Sequence, residues 1–155
     1  MDLLARVQGT LELRWFVFVF LAVFLFHSLM FFPRKRVLLY LVLAYWVSWF
    51  CEFSSTHWGT PFGKYYYIPA TIDQELWVFG VPFFDSLSFI FLGYFSYFSG
   101  CHWLPAKASP LSRIMLGAFL MTVLDIIIDP LTLQGDKWFL GRIYYYPDPG
   151  PYFGV

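Results

Sequence analysis

Four carboxylates lie within or beside long apolar runs of this chain, where a charged group is difficult to place: Glu52, Asp85, Asp125 and Asp129. A charged carboxylate inside a bilayer costs at least about 2.5 kcal/mol, so it usually faces other protein and is a candidate for function. Burial of this kind raises the pKa of a carboxyl group, so that both its protonated and its ionised form are accessible near neutral pH. Proton transfer is therefore the chemistry that these residues could perform.

Asp125 and Asp129 are four residues apart, which places them on one face of a helix. Two carboxylates this close in a low dielectric do not easily both ionise, so one keeps a proton near neutral pH. The spacing therefore predicts a general acid paired with a general base. The alternative is that Asp129 only caps the exit from the helix and that Asp125 alone is buried.

Glu52 and Asp85 lie beside further polar side chains. Ser48 is one helical turn before Glu52 and Tyr45 is two turns before it, so the three share a face. Glu52 is either a proton donor or acceptor lining a cavity or an interfacial carboxylate in contact with headgroups. Asp85 is either functional or part of a packing stripe, because small polar residues fall close to its face: Ser88, Ser96 and Ser99.

Histidine and cysteine do not point to a metal or a disulfide. His27, His57 and His102 are scattered without metal-ligand spacing, although a haem held by His27 and His102 remains a possible alternative. Cys51 and Cys101 fall on opposite sides of a four-helix topology, which disfavours a disulfide between them. The sequence has no glycine-rich phosphate loop and no nucleophile elbow. We therefore expect neither a metal nor a cofactor.

The composition places these carboxylates in a membrane protein. Of the 155 residues, 59% are hydrophobic, 25% are aromatic and 13% are charged, and the formal net charge is zero. Ordinary soluble domains are about 25% charged. A neutral, charge-poor and aromatic chain is a poor candidate for nucleic-acid binding or intrinsic disorder. Its long uncharged runs approach the roughly 20 residues that a spanning helix needs.

The apolar runs predict an all-α fold, a polytopic integral membrane bundle that forms a single domain over residues 1–155. Proline disfavours helical geometry in the residue before it, so the last helix is expected to end near Asp129 and a polar segment 129–155 to follow. Two loops rich in glycine and tyrosine, 59–67 and 141–147, are typical of an interfacial aromatic belt. About four transmembrane helices are expected, at about 15–32, 37–53, 76–98 and 111–128.

An ordered set of motifs runs from about residue 45 to the end of the chain: Glu52, Pro61-Phe62-Gly63-Lys64-Tyr65, Gly80-Val81-Pro82, Asp125-x-x-x-Asp129-Pro130, Trp138 and Tyr152-Phe153-Gly154-Val155. The set resembles the membrane carotenoid biosynthesis protein family that includes the gamma-carotene and bisanhydrobacterioruberin hydratases. Members of that family usually continue with further membrane helices, so the resemblance implies that this chain lacks the C-terminal part.

The resemblance implies a hydratase of the lyase class that works without a cofactor. Such an enzyme adds water to the terminal carbon–carbon double bond of an acyclic carotenoid end group and forms a tertiary alcohol. On this hypothesis Asp125 and Asp129 supply the acid and the base, Glu52 positions water or stabilises charge, and Asp85 is auxiliary. The expected substrate-binding residues are Phe62, Gly63, Tyr65, Pro82, Trp138, Tyr152 and Phe153.

The resemblance also implies a location and partners. We expect an integral protein of the bacterial inner membrane that contacts lipid and a carotenoid, with no nucleic acid, and that associates with other carotenoid enzymes or with itself. One alternative is a non-catalytic membrane partner that binds polyenes or lipids and scaffolds neighbouring enzymes. A small transporter or proton-relay subunit is a weaker alternative, because the sequence shows no duplicated pair of broken helices.

Overall fold

The computed structural model describes residues 2–133 and 143–147, and it is mostly helical. The chain divides into two compact units. The first comprises residues 1–91 and 145–147, and the second comprises 92–144 and 148–155. The described residues form these helices: α1 (Leu3–Leu13), α2 (Trp15–Phe31), α3 (Arg34–Trp58), α4 (Phe83–Trp103) and α5 (Pro110–Leu133).

Short strands interrupt the expected all-α fold. The connection from α3 to α4 holds β1 (Tyr66–Tyr67), a 3-10 helix (Pro69–Thr71), β2 (Trp77–Val78) and β3 (Val81–Pro82), while β4 (Tyr144–Tyr145) follows α5. Strands β2 and β3 pair antiparallel, with Trp77 opposite Pro82 and Val78 opposite Val81. Positive φ angles at Phe79 and Gly80, 50° and 82°, give the tight turn that such a hairpin needs. Because this hairpin occupies 77–82, α4 begins at Phe83 and not near residue 76.

Two of the described helices, α3 and α5, are long and apolar enough to cross a membrane. A third span exists if α1 and α2 count as one broken span, since they meet at an 80° bend. The expectation of four spans is therefore supported for two or three. The apolar residues of α4 are interrupted by four serines, which lowers the hydropathy of that helix: Ser86, Ser88, Ser96 and Ser99.

Helix α3 is polar on its buried face and apolar on its exposed face, the reverse of a helix in a soluble protein. Leu38 and Val47 on this helix are 60% and 63% exposed. A polar interior with an apolar exterior is the arrangement expected of a helix that faces lipid. Its buried residues are Val37, Ser48, Glu52, Ser54 and Ser55.

Helix α5 continues through Pro130 to Leu133, beyond the expected end near Ile128. An interior proline removes one N–H donor and crowds the preceding turn, but it does not have to end a helix when other groups satisfy the backbone. The Thr132 hydroxyl donates to the Asp129 carbonyl oxygen at 2.8 Å, which satisfies one carbonyl of the last turn. Asp129 therefore lies inside the helix and not at its exit.

In the first unit, α1 is fixed to the segment that precedes β2. The backbone N–H of Leu76 donates to Thr10 Oγ1 at 2.7 Å, and Thr10 is 1% exposed. Gly9, the preceding residue, faces Gln74 so closely that a Cβ atom there would lie 1.9 Å from the Gln74 carbonyl oxygen. At the bend, Arg14 donates from Nε and Nη2 to the two Glu75 carboxylate oxygens at 2.8 and 2.9 Å.

The close approach at Gly9 predicts a large effect for a single methyl group. We expect Gly9→Ala to destabilise the protein by about 1–3 kcal/mol, because backbone must shift to accept the added carbon. Thermal unfolding in detergent measures this effect. Gln8→Ala is the matched control, since Gln8 is an exposed neighbour on the same helix. Equal unfolding midpoints for the two variants would contradict the prediction.

In the second unit, two glycines allow α4 and α5 to pack closely. A Cβ atom on Gly117 would lie 2.9 Å from Tyr97 Cα, and one on Gly100 would lie 3.2 Å from the Gly117 nitrogen. Small residues facing each other in this way are typical of helix pairs in membranes.

Candidate functional site

The loop after α3 folds back onto the last turns of the helix, close in sequence to Glu52. Gly59 ends the helix in the left-handed conformation, φ 77°, and its N–H donates to the Ser55 carbonyl. Ser54 Oγ donates to the Thr60 carbonyl at 2.6 Å, and Ser55 Oγ accepts from the Phe62 N–H at 3.1 Å. These two serines hold the loop after α3, which leads directly into β1.

The tyrosine triplet in and before β1 alternates between the interior and the exterior. Tyr65 and Tyr67 are 4% and 9% exposed, whereas Tyr66 is 41% exposed. This is the period of two that extended backbone imposes. Tyr65 lies against the Tyr146 ring and Tyr66 against the Tyr145 ring, with centroids 5.6 and 5.7 Å apart. An aromatic belt therefore describes Tyr66 but not its two buried neighbours.

Tyr67 brings together two of the four carboxylates that the sequence singled out. Its hydroxyl oxygen lies 2.6 Å from Glu52 Oε2 and 2.5 Å from Asp85 Oδ2. Glu52 is 3% exposed, near the C-terminal end of α3. Asp85 lies in the first turn of α4, where the helix dipole favours a negative charge. We call Glu52, Tyr67 and Asp85 the carboxyl–tyrosine group.

The carboxyl–tyrosine group needs two protons for its two short contacts. A tyrosine hydroxyl carries one proton, which serves one contact, while its oxygen can accept in the other. The second contact is a hydrogen bond only if the other carboxyl is itself protonated and donates to the Tyr67 oxygen. The geometry therefore fits one carboxylic acid and one carboxylate joined through a neutral hydroxyl.

The tyrosine hydroxyl keeps its own proton in this setting. Burial first, and then the negative charge of the neighbouring carboxylate, holds the pKa of Tyr67 well above its usual value of 10.0. Tyr67 therefore stays a neutral donor at every pH below that value. Any stability that this shift contributes is present below pH 10 and is lost only as the pH rises through the raised pKa.

Aromatic rings lie against Tyr67 and on the two helices that carry Glu52 and Asp85. The Trp77 ring meets the Tyr67 ring edge-on, with centroids 6.0 Å apart. Tyr45, two turns before Glu52 on α3, lies 5.2 Å from the Phe83 ring at the start of α4. Ring faces near an acid can stabilise a cation that forms beside them.

The second unit holds the other two carboxylates. Asp125 and Asp129 are both half-buried and lie one turn apart on α5, as the spacing predicts. Tyr144 donates from its hydroxyl to Asp129 Oδ1 at 2.7 Å, and that hydroxyl also lies 2.8 Å from Thr132 Oγ1. Asp129 thus has a tyrosine partner of its own, and a shared proton between the two aspartates stays a prediction.

The expected substrate-binding residues divide into described and undescribed ones. Phe62 is 42% exposed, and Gly63 has a φ of 90° in the loop after α3. Tyr65 is buried beside Tyr67, with their hydroxyl oxygens 3.5 Å apart, and Pro82 is buried in β3. Three further expected residues lie outside the described part of the chain: Trp138, Tyr152 and Phe153.

Tyr67 is the main residue that the sequence analysis missed as a member of the site. One available signal was its place in the triplet, since alternate residues of an extended segment share a side with Tyr65. The contact of Tyr67 with Glu52 and Asp85 could not be predicted, because the preceding loop is rich in glycine and proline and its chain reversal can place Tyr67 in many positions. Arg14 and Glu75, 61 residues apart, were missed for a similar reason.

The fold and the site together define a helical protein with apolar spans and buried carboxylates. The family model described as "Carotenoid biosynthesis protein" matches residues 10–155, so the chain belongs to the carotenoid biosynthesis protein family. The resemblance read from the sequence motifs is thereby confirmed, and family membership supports a role in carotenoid biosynthesis. No curated protein and no solved structure is significantly similar to the chain.

Proposed function

We propose that this protein hydrates the terminal double bond of an acyclic carotenoid end group, with the carboxyl–tyrosine group as its source of protons. The observation that carries the proposal is the pair of short contacts from the Tyr67 hydroxyl to Glu52 and Asp85. Hydration of an alkene needs an acid strong enough to protonate carbon and a base for the attacking water. A carboxylic acid and a carboxylate joined by one hydroxyl provide both.

The reaction has two steps on this proposal. The protonated carboxyl transfers its proton to the alkene carbon that bears one hydrogen, and the electron pair of the double bond forms the new C–H bond. The positive charge falls on the neighbouring carbon, which carries two methyl groups, beside the carboxylate and the rings of Trp77 and Tyr45. Water then forms the C–O bond and gives one proton to a carboxylate, which restores the acid.

This proposal changes the roles first expected for the four carboxylates. Glu52 and Asp85 become the proton-transferring pair, because one hydroxyl links them directly. Asp125 and Asp129 remain the competing proton source, since they share a face of α5 and Tyr144 fixes Asp129. The polyene is proposed to lie along the described residues of the expected set in the first unit: Phe62, Gly63, Tyr65 and Pro82. Trp138, Tyr152 and Phe153 stay predictions from the sequence.

The setting proposed for the reaction is a bacterial inner membrane, in which the carotenoid enters from the lipid. The apolar helices α3 and α5 support a membrane location, and other carotenoid enzymes or a second copy of the chain are the proposed partners. The reaction is proposed to proceed without a cofactor, and it needs no redox group because protonation and water addition exchange no electrons.

Expression in lycopene-producing cells tests the function. We expect a new, more polar pigment whose mass exceeds that of the substrate by one water, separated by chromatography. A protein that accumulates in the membrane but leaves the pigments unchanged would overturn the proposal. Unchanged pigment that copurifies with the protein at fixed stoichiometry would instead support the alternative of a non-catalytic polyene-binding partner.

A further inference from the structure

Helices α3 and α4, which carry Glu52 and Asp85, and Trp77, which contacts Tyr67, hold buried polar atoms without a hydrogen-bond partner. Within residues 2–133 and 143–147, no partner lies near any of them. An unpartnered buried donor or acceptor costs about 1–3 kcal/mol, so native structures rarely leave such an atom unsatisfied. The atoms in the first unit are Tyr45 Oη, Ser48 Oγ, Trp77 Nε1 and Ser86 Oγ.

Ser48 lies directly below Glu52 on α3. It is 8% exposed and precedes Glu52 by one turn. Side chains on a helix tilt toward its N-terminus, so the Glu52 carboxyl leans over the turn that carries Ser48. Tyr45 lies on the same face, three residues earlier. The unpartnered hydroxyls of α3 are therefore on the side of the helix that carries Glu52.

Ser86 is on the face of α4 that meets α3. It is 0% exposed and lies three residues after Phe83, so the two share a face. Phe83 contacts Tyr45 of α3, as their 5.2 Å ring separation shows. Trp77 adds a ring N–H donor beside Tyr67.

We propose that these atoms hold a buried water beside the carboxyl–tyrosine group and that this water is the second substrate. The inference rests on the proposed function for its catalytic part. A buried water needs about two to four polar partners, and two serine hydroxyls, a tyrosine hydroxyl and an indole N–H supply them. When the cation forms, the held water bonds to the cationic carbon and passes one proton to the Glu52 carboxylate.

The fate of the cation in heavy water tests the inference. In D₂O the acid delivers deuterium to the alkene carbon. The resulting cation then has two fates. It either captures water and forms the alcohol, or it loses a proton and returns to an alkene that keeps the deuterium. We expect Ser48→Ala and Ser86→Ala to raise the ratio of deuterated alkene to alcohol roughly tenfold, the effect of about one lost hydrogen bond to water. Mass spectrometry of the recovered carotenoids measures this ratio.

Ser88→Ala is the matched control for the labelling experiment. The Ser88 hydroxyl already donates to the Phe84 carbonyl at 2.9 Å on the same helix, so its loss should leave the ratio unchanged. A ratio for Ser48→Ala and Ser86→Ala equal to that of the unsubstituted protein, while alcohol still forms, overturns the water site alone. If the unsubstituted protein forms neither alcohol nor labelled alkene, the proposed function fails instead.

Stability separates the water site from catalysis. The proposal expects Ser86→Ala to lower the thermal unfolding midpoint of the purified protein, because the held water loses a partner. If no water is bound, the buried Ser86 hydroxyl has no hydrogen-bond partner and destabilises the protein. Its removal would then raise the thermal unfolding midpoint. A midpoint that rises or stays constant therefore overturns the water site, whatever the pigment assay shows.

Discussion

Replacing Tyr67 by phenylalanine is expected to lower carotenoid conversion by about 10²–10⁴-fold, the usual contribution of a positioned acid or base. The variant keeps the buried ring and removes only the hydroxyl that links Glu52 to Asp85. Without it the hydrogen-bonded link from Glu52 through Tyr67 to Asp85 is lost. Pigment chromatography from lycopene-producing cells, normalised to the protein in the membrane, measures the loss.

Tyr66→Phe is the control for that prediction, because Tyr66 belongs to the same triplet and is 41% exposed. It should convert as the unsubstituted protein does. Glu52→Gln and Asp85→Asn should reproduce the loss seen for Tyr67→Phe, since each leaves a single carboxyl in the group. Asp125→Asn and Asp129→Asn test the competing proton source on α5. If these two variants lose activity while Tyr67→Phe keeps full activity, the proton source lies on α5.

The largest effect on stability is expected at the bend between α1 and α2. Arg14→Met should destabilise the protein by about 3–5 kcal/mol, because it leaves a buried carboxylate without its cation. Glu75 is 0% exposed and receives two hydrogen bonds from Arg14, with a further one from the Thr71 hydroxyl. The Arg14 guanidinium also lies 4.0 Å from the centre of the Phe84 ring, so its packing is lost as well. Denaturant unfolding in detergent measures the change.

Arg6→Met is the matched control, because it breaks an exposed ion pair of the same α1 segment. Arg6 lies 3.6 Å from Asp73, whose side chain is 84% exposed, and such pairs contribute about 1 kcal/mol or less. The double substitution Arg14→Met with Glu75→Gln should recover much of the loss, since no charge is then left buried. Equal effects of Arg14→Met and Arg6→Met would contradict a buried ion pair that fixes the bend.

The helical periodicity predicted which polar residues of α3 share a face. Ser48 and Glu52 lie on one buried face there, as a 3.6-residue repeat requires. The repeat could not predict that Asp85 would join Glu52, because a residue from β1 makes that connection. The link depends on how the Gly-Pro loop reverses, and single residues do not determine such a reversal.

Element boundaries were predicted less well than element types. A short hairpin holds residues 77–82, so α4 starts later than its apolar run indicated. Pro130 suggested a helix end, but α5 passes through it while Thr132 satisfies a backbone carbonyl. The bend at Arg14 has no proline or glycine to mark it, and the partner that fixes it, Glu75, lies in a distant loop. These positions depend on a hairpin, a local side-chain hydrogen bond and a long-range ion pair, none of which an apolar pattern shows.

The Arg14–Glu75 pair has a consequence for how the protein is made. Arg14 leaves the ribosome 61 residues before its partner, which is about 3–12 s at ordinary rates of protein synthesis. During that interval the guanidinium stands at the start of an uncharged run with its carboxylate still unmade. The ion pair that fixes the bend between α1 and α2 therefore cannot form until Glu75 has been synthesised.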